Sequence, residues 1–568
     1  MVKNKTSKTN NSKGQAFFEL FAGLVLLIIL NILAGYFFTR IDFTKEKRYT
    51  LNDSSKELVS TLDDIVYVQV YLEGEFPAGF KRLRESTKEM LDEFRAYSKG
   101  NLQYDFVNPL ADKDQETQKE IIQQLVNQGL QPTNLQVKNA EGSSQQIIVP
   151  GAIITYKGRQ VPLQLLQNQQ AAGPQEAINN SIQGLEYQIA NSLKKITTVF
   201  KSKVGFVDGH GELDSLSTAD LVLSLSDFYS VDRVDISNLN PDKLNEAAEI
   251  INTFDLLIIA KPTKAFQEKE KFLIDQFIMN GGKVIWAIDA MNASLDSLDV
   301  EGNSLSIPFE LNIADQLFKY GARINSNLVL DLNCAPIPLT FSGNTQLIPW
   351  LFYPIFVPRS AHPIVKNLDA IRTEFVSTID IIEIENIKAT PILSTSPYTK
   401  MLLSPVRVNL GMAALEPNPD QFDMKDQTVA VLLEGKFESV FKNRLTAQSV
   451  DFLNPLDESA ESKMIVIGDG DLMKNAQSKG NAFPLGYDRY TQTTFANKDF
   501  MLNCIDYLLD DNGLLALRTK EFKLRLLDKA KVKEQKTTWQ IINLVGPVLF
   551  LVIFGLVFNA IRKRKFAK

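Results

Sequence analysis

Histidine and cysteine are nearly missing from this chain of 568 residues: it holds His210, His362, Cys334 and Cys504 and no others. So few imidazoles and thiols exclude a histidine-rich zinc site and leave a Ser-His-Asp relay almost no material. The two cysteines stand far apart in sequence and read most simply as isolated thiols, with a single Cys334–Cys504 bridge left open. No G-x-x-x-x-G-K-[ST] occurs, and Gly281-Gly282-Lys283 follows a helical pattern rather than a strand, so ATP is not bound through a P-loop. No G-x-S-x-G elbow occurs either, and no cofactor fingerprint is present. A net charge of −6, from 61 Lys and Arg against 67 Asp and Glu, argues against a nucleic-acid partner.

Against these absences stand two charge-free apolar runs, one near each end. Residues 20–39, from Leu20 to Thr39, and residues 539–561, from Trp539 to Ile561, contain no Asp, Glu, Lys or Arg. About 20 apolar residues on a helix cross a bilayer core, so each run is long enough to span. The first exceeds the apolar core of a signal peptide, which is roughly 7–15 residues. Bulky Tyr36, Phe37 and Phe38 after Gly35 also disfavour cleavage. Two spans put both tails on one side. The tail at 562–568 begins Arg562-Lys563-Arg564-Lys565, and the tail at 1–19 carries Lys3, Lys5, Lys8 and Lys13. Positive residues stay in the cytoplasm, which places the long body outside it. The flanks facing the body are basic too, so the short tails decide. Glu19 reads as an interfacial charge. Gly546-Pro547 in the second run reads either as part of a plain anchor or as a kinked, closely packing partner face.

The body divides by pattern. Residues 40–170 begin with a helix capped at Asn52 or Asp53 and continue with a β-branched strand at 65–72. A helix near 79–98, a strand at 102–107 and a helix at 115–129 follow, then strands near 134–138, 145–149 and 152–156. The order β-α-β-α-β-β is that of a thioredoxin-like unit. The place where such a unit carries Cys-x-x-Cys reads Glu73-Gly74-Glu75-Phe76-Pro77, so thiol–disulfide exchange is excluded. A Gln- and Ala-rich stretch at 164–176 is a connector, and a helix within 171–200, with Ile178, Ile182, Leu185, Ile189 and Leu193 at helical spacing, packs between two domains.

Residues 201–517 alternate strands (203–207, 229–236, 256–260, 283–288, 429–434, 464–468) with helices (from 217, 268–280, 498–509), which predicts a parallel, doubly wound sheet. A Pro-rich segment at about 292–425, with 337–358 as a loop, interrupts it. A charged segment at 518–538, expected to be helical, leads to the second span.

In open α/β sheets ligands bind beyond the carboxyl ends of the strands. Asp208, Asp289 and Asp469 each follow a predicted core strand; His210 and Glu212 lie in the first of these loops, Lys261 follows the strand at 256–260, and Asp471 is close to Asp469. Carboxylates on one rim can bind a cation or a basic or hydroxylated ligand. Aspartates after strands equally serve as helix caps and turn residues. No nucleophile–base pair is evident, so catalysis is the less favoured reading, and no metal is assigned.

Several segments carry a resemblance: Arg48-Tyr49-Thr50-Leu51, YLEGEFPAGFKRLRESTKEMLDEFRAYS at 71–98, FVNP at 106–109, VGFVDGHGEL at 204–213 and KFLIDQFIMNGGKVIWAIDAM at 271–291. They resemble the gliding-motility-associated ABC transporter proteins (the GldG group) of the Bacteroidota, within the wider auxiliary family of "uncharacterised ABC-type transport system" proteins. The resemblance covers nearly the whole chain. It implies an inner-membrane protein with a periplasmic body and cytoplasmic tails, partnered by a separate ABC ATPase and a multi-span permease. It supplies no catalytic residues, no cofactor and no established ligand. The second domain also resembles the class I glutamine amidotransferase-like fold, without the nucleophilic cysteine at its strand–helix turns. Sequence therefore points to a non-enzymatic auxiliary subunit. The alternatives are a structural scaffold of the envelope and a metal-dependent enzyme at the Asp208/Asp289/Asp469 rim.

Overall fold

The computed structural model describes residues 50–510 without 112, 140–141, 167–172, 199–200, 240–243, 342–343, 443 and 445–453. It also describes 513, 514, 517, residues 17–29 without 19, and 529–566. The chain forms two compact units, residues 1–520 and 521–568.

In the first unit, α1 (Asp53–Ser60) starts at Asn52, whose side chain accepts from the Ser54 N–H. Buried Glu186 accepts from the Asn52 N–H at 2.6 Å and from Ser55 Oγ at 3.1 Å, tying this helix start to a helix more than a hundred residues on. The strands β1 (Val66–Val70) and β2 (Leu102–Phe106) flank α2 (Ala78–Tyr97) in sequence. Then come α3 (Gln115–Asn127), a two-stranded hairpin β3 (Thr133–Asn139) and β4 (Gly142–Ile148), and β5 (Gly151–Tyr156) with β6 (Arg159–Gln164). The four-stranded sheet has the order β2-β1-β5-β6, with β1 parallel to β2 and antiparallel to β5. Strand β6 ends at Gln164, where the stretch read as a connector begins. Its Pro162 sits on the sheet edge, where no ladder N–H is missed.

Helix α4 (Pro174–Thr197) buries Ile178, Leu185, Ile189, Leu193 and Ile196. One apolar cluster runs from the first sheet through this helix into one face of the second sheet. The second sheet contains β7 (Lys203–Asp208), β8 (Ser230–Asp235), β9 (Leu256–Ala260) and β10 (Lys283–Ala287). Helices α5 (Ala219–Ser226), α6 (Leu244–Ile251) and α7 (Glu268–Met279) lie between them in sequence, and α8 (Ala314–Tyr320) follows β10. Side chains alternate across a strand. Leu256 and Ile258 accordingly enter one cluster, with Leu221 of α5 and Leu193, while Leu257 and Ile259 enter another, with Phe277 of α7. Both faces are covered, which is why LLIIA is apolar throughout.

Between β10 and the returning pattern, the segment expected to be irregular holds a hairpin of β11 (Cys334–Phe341) and β12 (Asn344–Phe356). Residues 337–358 are therefore mostly strand, not loop. Pro336 and Pro349 stand opposite each other in its register, and these prolines are what made the segment read as a loop. Trp350, Phe352, Tyr353, Leu328, Leu330 and Phe375 give this region a core of its own. The sheet then takes up β13 (Ile387–Ser394), β14 (Thr428–Glu438) and β15 (Glu458–Ile467), and α9 (Asn497–Leu508) follows.

The order is β13-β14-β15-β10-β9-β7-β8. Strands β15, β10, β9, β7 and β8 are mutually parallel, but β14 is antiparallel to both β13 and β15. The sheet is mixed rather than wholly parallel: an apolar run reports burial on two faces and carries no record of strand direction. Both cysteines are free; Cys504 is buried in α9 and Cys334 opens β11.

In the second unit, α10 (Lys529–Phe566) is one helix with Pro547 inside it. Its segment Glu534–Arg564 is long and apolar enough to cross a membrane. Near the other end of the chain, Leu20–Ile29 is a shorter apolar helix. The rest of the expected first span, residues 30–39, lies outside the described residues, as do most of the N-terminal tail and residues 518–528.

Candidate functional site

The parallel strands β9, β10 and β15 end side by side, and each delivers a charged residue to the same edge of the sheet. Lys261 follows β9 directly and has the left-handed φ of +57°. Its N–H donates to the Ala287 carbonyl at 2.8 Å, which holds this strained residue against the end of β10. Asp289 comes two residues after β10 and Asp469 two after β15. Lys261 Nζ lies 3.1 Å from Asp289 Oδ2 and forms a shorter ion pair with Asp471 Oδ2. Asp469 is fully buried; Oδ2 accepts from the Glu374 N–H at 2.9 Å and Oδ1 from the Asp471 N–H at 2.8 Å. The Gly470 N–H donates to Asp289 Oδ1 at 2.5 Å. A Cβ at Gly470 would fall 2.6 Å from the Lys261 Cβ, so only glycine lets the two loops meet this closely.

Oxygens of Asp289, Asp469 and Asp471 lie within 4.8 Å of one another, with Lys261 between Asp289 and Asp471 and the more exposed Lys474 3.5 Å from Asp471 Oδ1. Burial, and then the Asp471 charge, push the Asp289 carboxyl up to about 6, although Lys261 opposes the rise. Burial also drives Asp469 well above the usual carboxylate range, helped by Asp289 and Asp471. Burial works against the charge on Lys261, but Asp289 and Asp471 outweigh it and its pKa rises. The arrangement can hold a fixed ammonium, share protons between carboxylates and accept a further donor. Asp471 is the member that reaches a cleft of about 710 Å3, which extends to the hairpin residues Pro336–Leu339 and to Arg372 and Arg489.

The remaining sequence-derived candidates sit elsewhere on the same edge. Asp208 at the end of β7 is held by two hydrogen bonds from Arg233 of β8, Nε at 2.7 Å and Nη2 at 2.5 Å. Arg233 also donates to the Leu213 carbonyl at 2.6 Å and to Thr218 Oγ1 at 3.2 Å. His210 is buried between two carboxylates, Nε2 at 2.9 Å from Glu270 and Nδ1 at 3.3 Å from Glu212, with its ring stacked on Phe266 at 3.8 Å. Burial opposes a charge there, but Glu212 and Glu270 outweigh it and lift the imidazole above its usual 6.5. Its carbonyl accepts from Thr263 N at 2.8 Å and Lys264 N at 2.9 Å, so the loops after β7 and β9 are locked together.

The structure thus gathers Lys261, Asp289, Asp469 and Asp471 and leaves Asp208 outside that cluster, bound by its own arginine. His210 and Glu212 form a third group with Glu270. Sequence reasoning missed Glu270, Arg233, Arg372 and Glu374. Glu270 had a signal, because Gln267 and Glu270 form the capping box that starts α7. The other three had none.

Residues 201–504 match the family described as "ABC-type uncharacterized transport system", and residues 45–155 match a domain of unknown function (DUF7088). An uncharacterized protein of Borreliella burgdorferi is 24% identical over 552 residues, covering 95% of this chain and 96% of its own. Among solved structures, the mmIFT52 N-terminal domain aligns with 14% identity and a TM-score of 0.31, over 54% of this chain and 97% of its own. A putative ThuA-like protein from Parabacteroides merdae aligns with 11% identity and a TM-score of 0.26, over 54% and 90%. With the match at 201–504 spanning more than half of its length, this chain belongs to the auxiliary family of the ABC-type uncharacterized transport system.

Proposed function

We propose that the chain is a non-catalytic auxiliary subunit of an ABC-type complex, anchored at both ends in the inner membrane, with both termini cytoplasmic and its body in the periplasm. The body binds a ligand or partner, and the complex also contains a separate ATPase and a multi-span permease. The family match over 201–504 carries this reading. The lack of a P-loop supports it, because this chain then has no Walker-type site for ATP and the reading places that site on another subunit. The apolar helix Glu534–Arg564 supports anchoring. A link to gliding motility, as in GldG, rests on the sequence resemblance at 48–51, 71–98, 106–109, 204–213 and 271–291. The order β2-β1-β5-β6 supports a thioredoxin-like first unit. The two-faced second sheet supports an amidotransferase-like one, with Cys504 inside a helix rather than at a strand–helix turn.

Purifying the full-length chain in detergent, followed by mass spectrometry, tests the reading. An ATPase and a permease at fixed stoichiometry are expected. Recovery of the chain alone, or with envelope proteins and no ATPase, overturns it in favour of a scaffold. A second reading, a metal-dependent enzyme, draws on the mutual approach of Asp289, Asp469 and Asp471. Lys261 counts against it, because its ammonium already lies among these carboxylates. Calorimetric titration with Mg2+ and Mn2+ separates the two: the subunit reading expects no heat of binding.

A further inference from the structure

The cleft above Asp471 has two features that specify a ligand. It is lined by five carboxylates, Asp214, Asp296, Glu374, Asp471 and Asp488, against the three cations Arg372, Lys474 and Arg489, with Lys261 paired to Asp471 behind it, which leaves one carboxylate in excess. A surplus of negative charge in a partly enclosed site disfavours phosphates and other anions and favours a ligand with a cationic group. The cleft also holds two buried polar atoms that no hydrogen bond satisfies, and they have opposite needs. Arg372 Nε is a donor without an acceptor, and Asp471 Oδ1 is an acceptor without a donor. Lys474 Nζ approaches Asp471 Oδ1 only to 3.5 Å, an ion pair without a hydrogen bond. Unsatisfied buried groups are uncommon in folded proteins because each costs free energy, so a matched pair in one cleft calls for a partner.

Both groups are fixed in place. Asp471 is held by Lys261 through Oδ2 and by Asp469 through its backbone N–H. The Arg372 guanidinium lies 4.9 Å from the centre of the Tyr353 ring and bonds Glu374 through Nη2 at 2.8 Å. Asn497 Nδ2 donates to the carbonyls of both Arg372 and Leu472, at 2.8 and 3.1 Å, and so ties the two segments side by side. A donor and an acceptor held at fixed spacing select a ligand that carries the complementary pair.

We infer that this cleft binds a zwitterion of the amino-acid or short-peptide class, its ammonium group on Asp471 Oδ1 and an oxygen of its carboxylate or first carbonyl on Arg372 Nε. A volume of about 710 Å3 falls within the range of sites for ligands of a few residues. Pro336, Ile337, Pro338 and Leu339 of the β11–β12 hairpin supply an apolar wall. The inference deepens the ligand-binding half of the proposed function, and it is read out by binding to this chain alone. Failure here therefore leaves the recovery of ATPase and permease untouched, and the reverse also holds.

Calorimetry on the full chain in detergent, with trialanine as the probe, tests it. Trialanine is expected to bind. Its N-acetylated form, without the ammonium, is expected to bind at least about tenfold more weakly, the scale of one lost charge-assisted hydrogen bond. Asp471→Asn is expected to abolish the difference between the two probes. Because Asp471 also supports Lys261, Arg372→Gln is the companion variant, expected to weaken trialanine by a similar factor with the melting temperature retained. No heat with trialanine at millimolar concentration, equal binding of the acetylated form, or preferential binding of maltotriose or pyrophosphate each overturns the inference.

Discussion

Asp208 and Asp289 close neighbouring parts of the same sheet edge, yet their surroundings are opposite. Asp208 has an arginine to itself, bonded through two nitrogens and also tied to Leu213 and Thr218. Asp289 shares one lysine with Asp471 and lies against Asp469. A one-to-one pair, with the arginine also bonded to Leu213 and Thr218, is a strut that holds β7, β8 and the following loop together. Three carboxylates around one ammonium leave charge and an acceptor over, and that surplus opens onto a cleft. The difference separates residues that position the edge from residues proposed to meet a ligand, although both kinds look alike in sequence.

The contrast is broken most severely at Lys261. Lys261→Met leaves buried carboxylates facing one another with only the more exposed Lys474 beside Asp471, and a loss of about 3–5 kcal/mol in unfolding free energy is expected from denaturant titration. A loss below about 1 kcal/mol is incompatible with Lys261 as the shared counter-charge. At the strut the effect is smaller. Arg233→Met removes a bidentate pair whose carboxylate still reaches solvent, and about 1–3 kcal/mol is expected by the same titration, with binding in the cleft unchanged. If Arg233→Met also abolishes binding, the strut and the site are not separate.

The smallest effect concerns the third group and depends on pH. Because the folded pKa of His210 lies above 6.5, the folded state holds a proton that the unfolded chain releases. Its stabilisation is complete below about 6.5 and is lost as pH rises through the folded value. His210→Gln is therefore expected to flatten the stability-against-pH curve above neutrality. Asp289 acts in a lower window. Its carboxyl, raised from 3.8 to about 6, makes stability fall between those values, a slope that Asp289→Asn removes. Thermal melting across pH 4–9 resolves the two.

Much of the fold was legible because its signals are local. The Asn52 cap, the helix stop at Gly281-Gly282 and the doubly buried LLIIA strand all follow from short stretches. The antiparallel course of β14 and the strands β6, β11 and β12 were not, since direction leaves no trace in composition and Pro162, Pro336 and Pro349 imitate loops. At the site, aspartates after strands marked the right edge of the sheet. Which of them share a lysine depends on strand order, and β15 neighbours β10 with paired residues 180 apart, as in Val284 and Met464, a separation that no local pattern encodes. Arg372 and Glu374 reach the cleft through other long-range contacts, the pairing of Arg372 with Ile355 in β12 and the Glu374 N–H on Asp469.

The most direct test of the account is the ATPase rate of the assembly purified through this chain, wild type beside Asp471→Asn. The chain carries no P-loop, so the account assigns that activity to a separate subunit. The account predicts ATP hydrolysis in the wild-type preparation, stimulated by trialanine, with the stimulation lost in Asp471→Asn. A preparation that contains the chain and hydrolyses no ATP contradicts it.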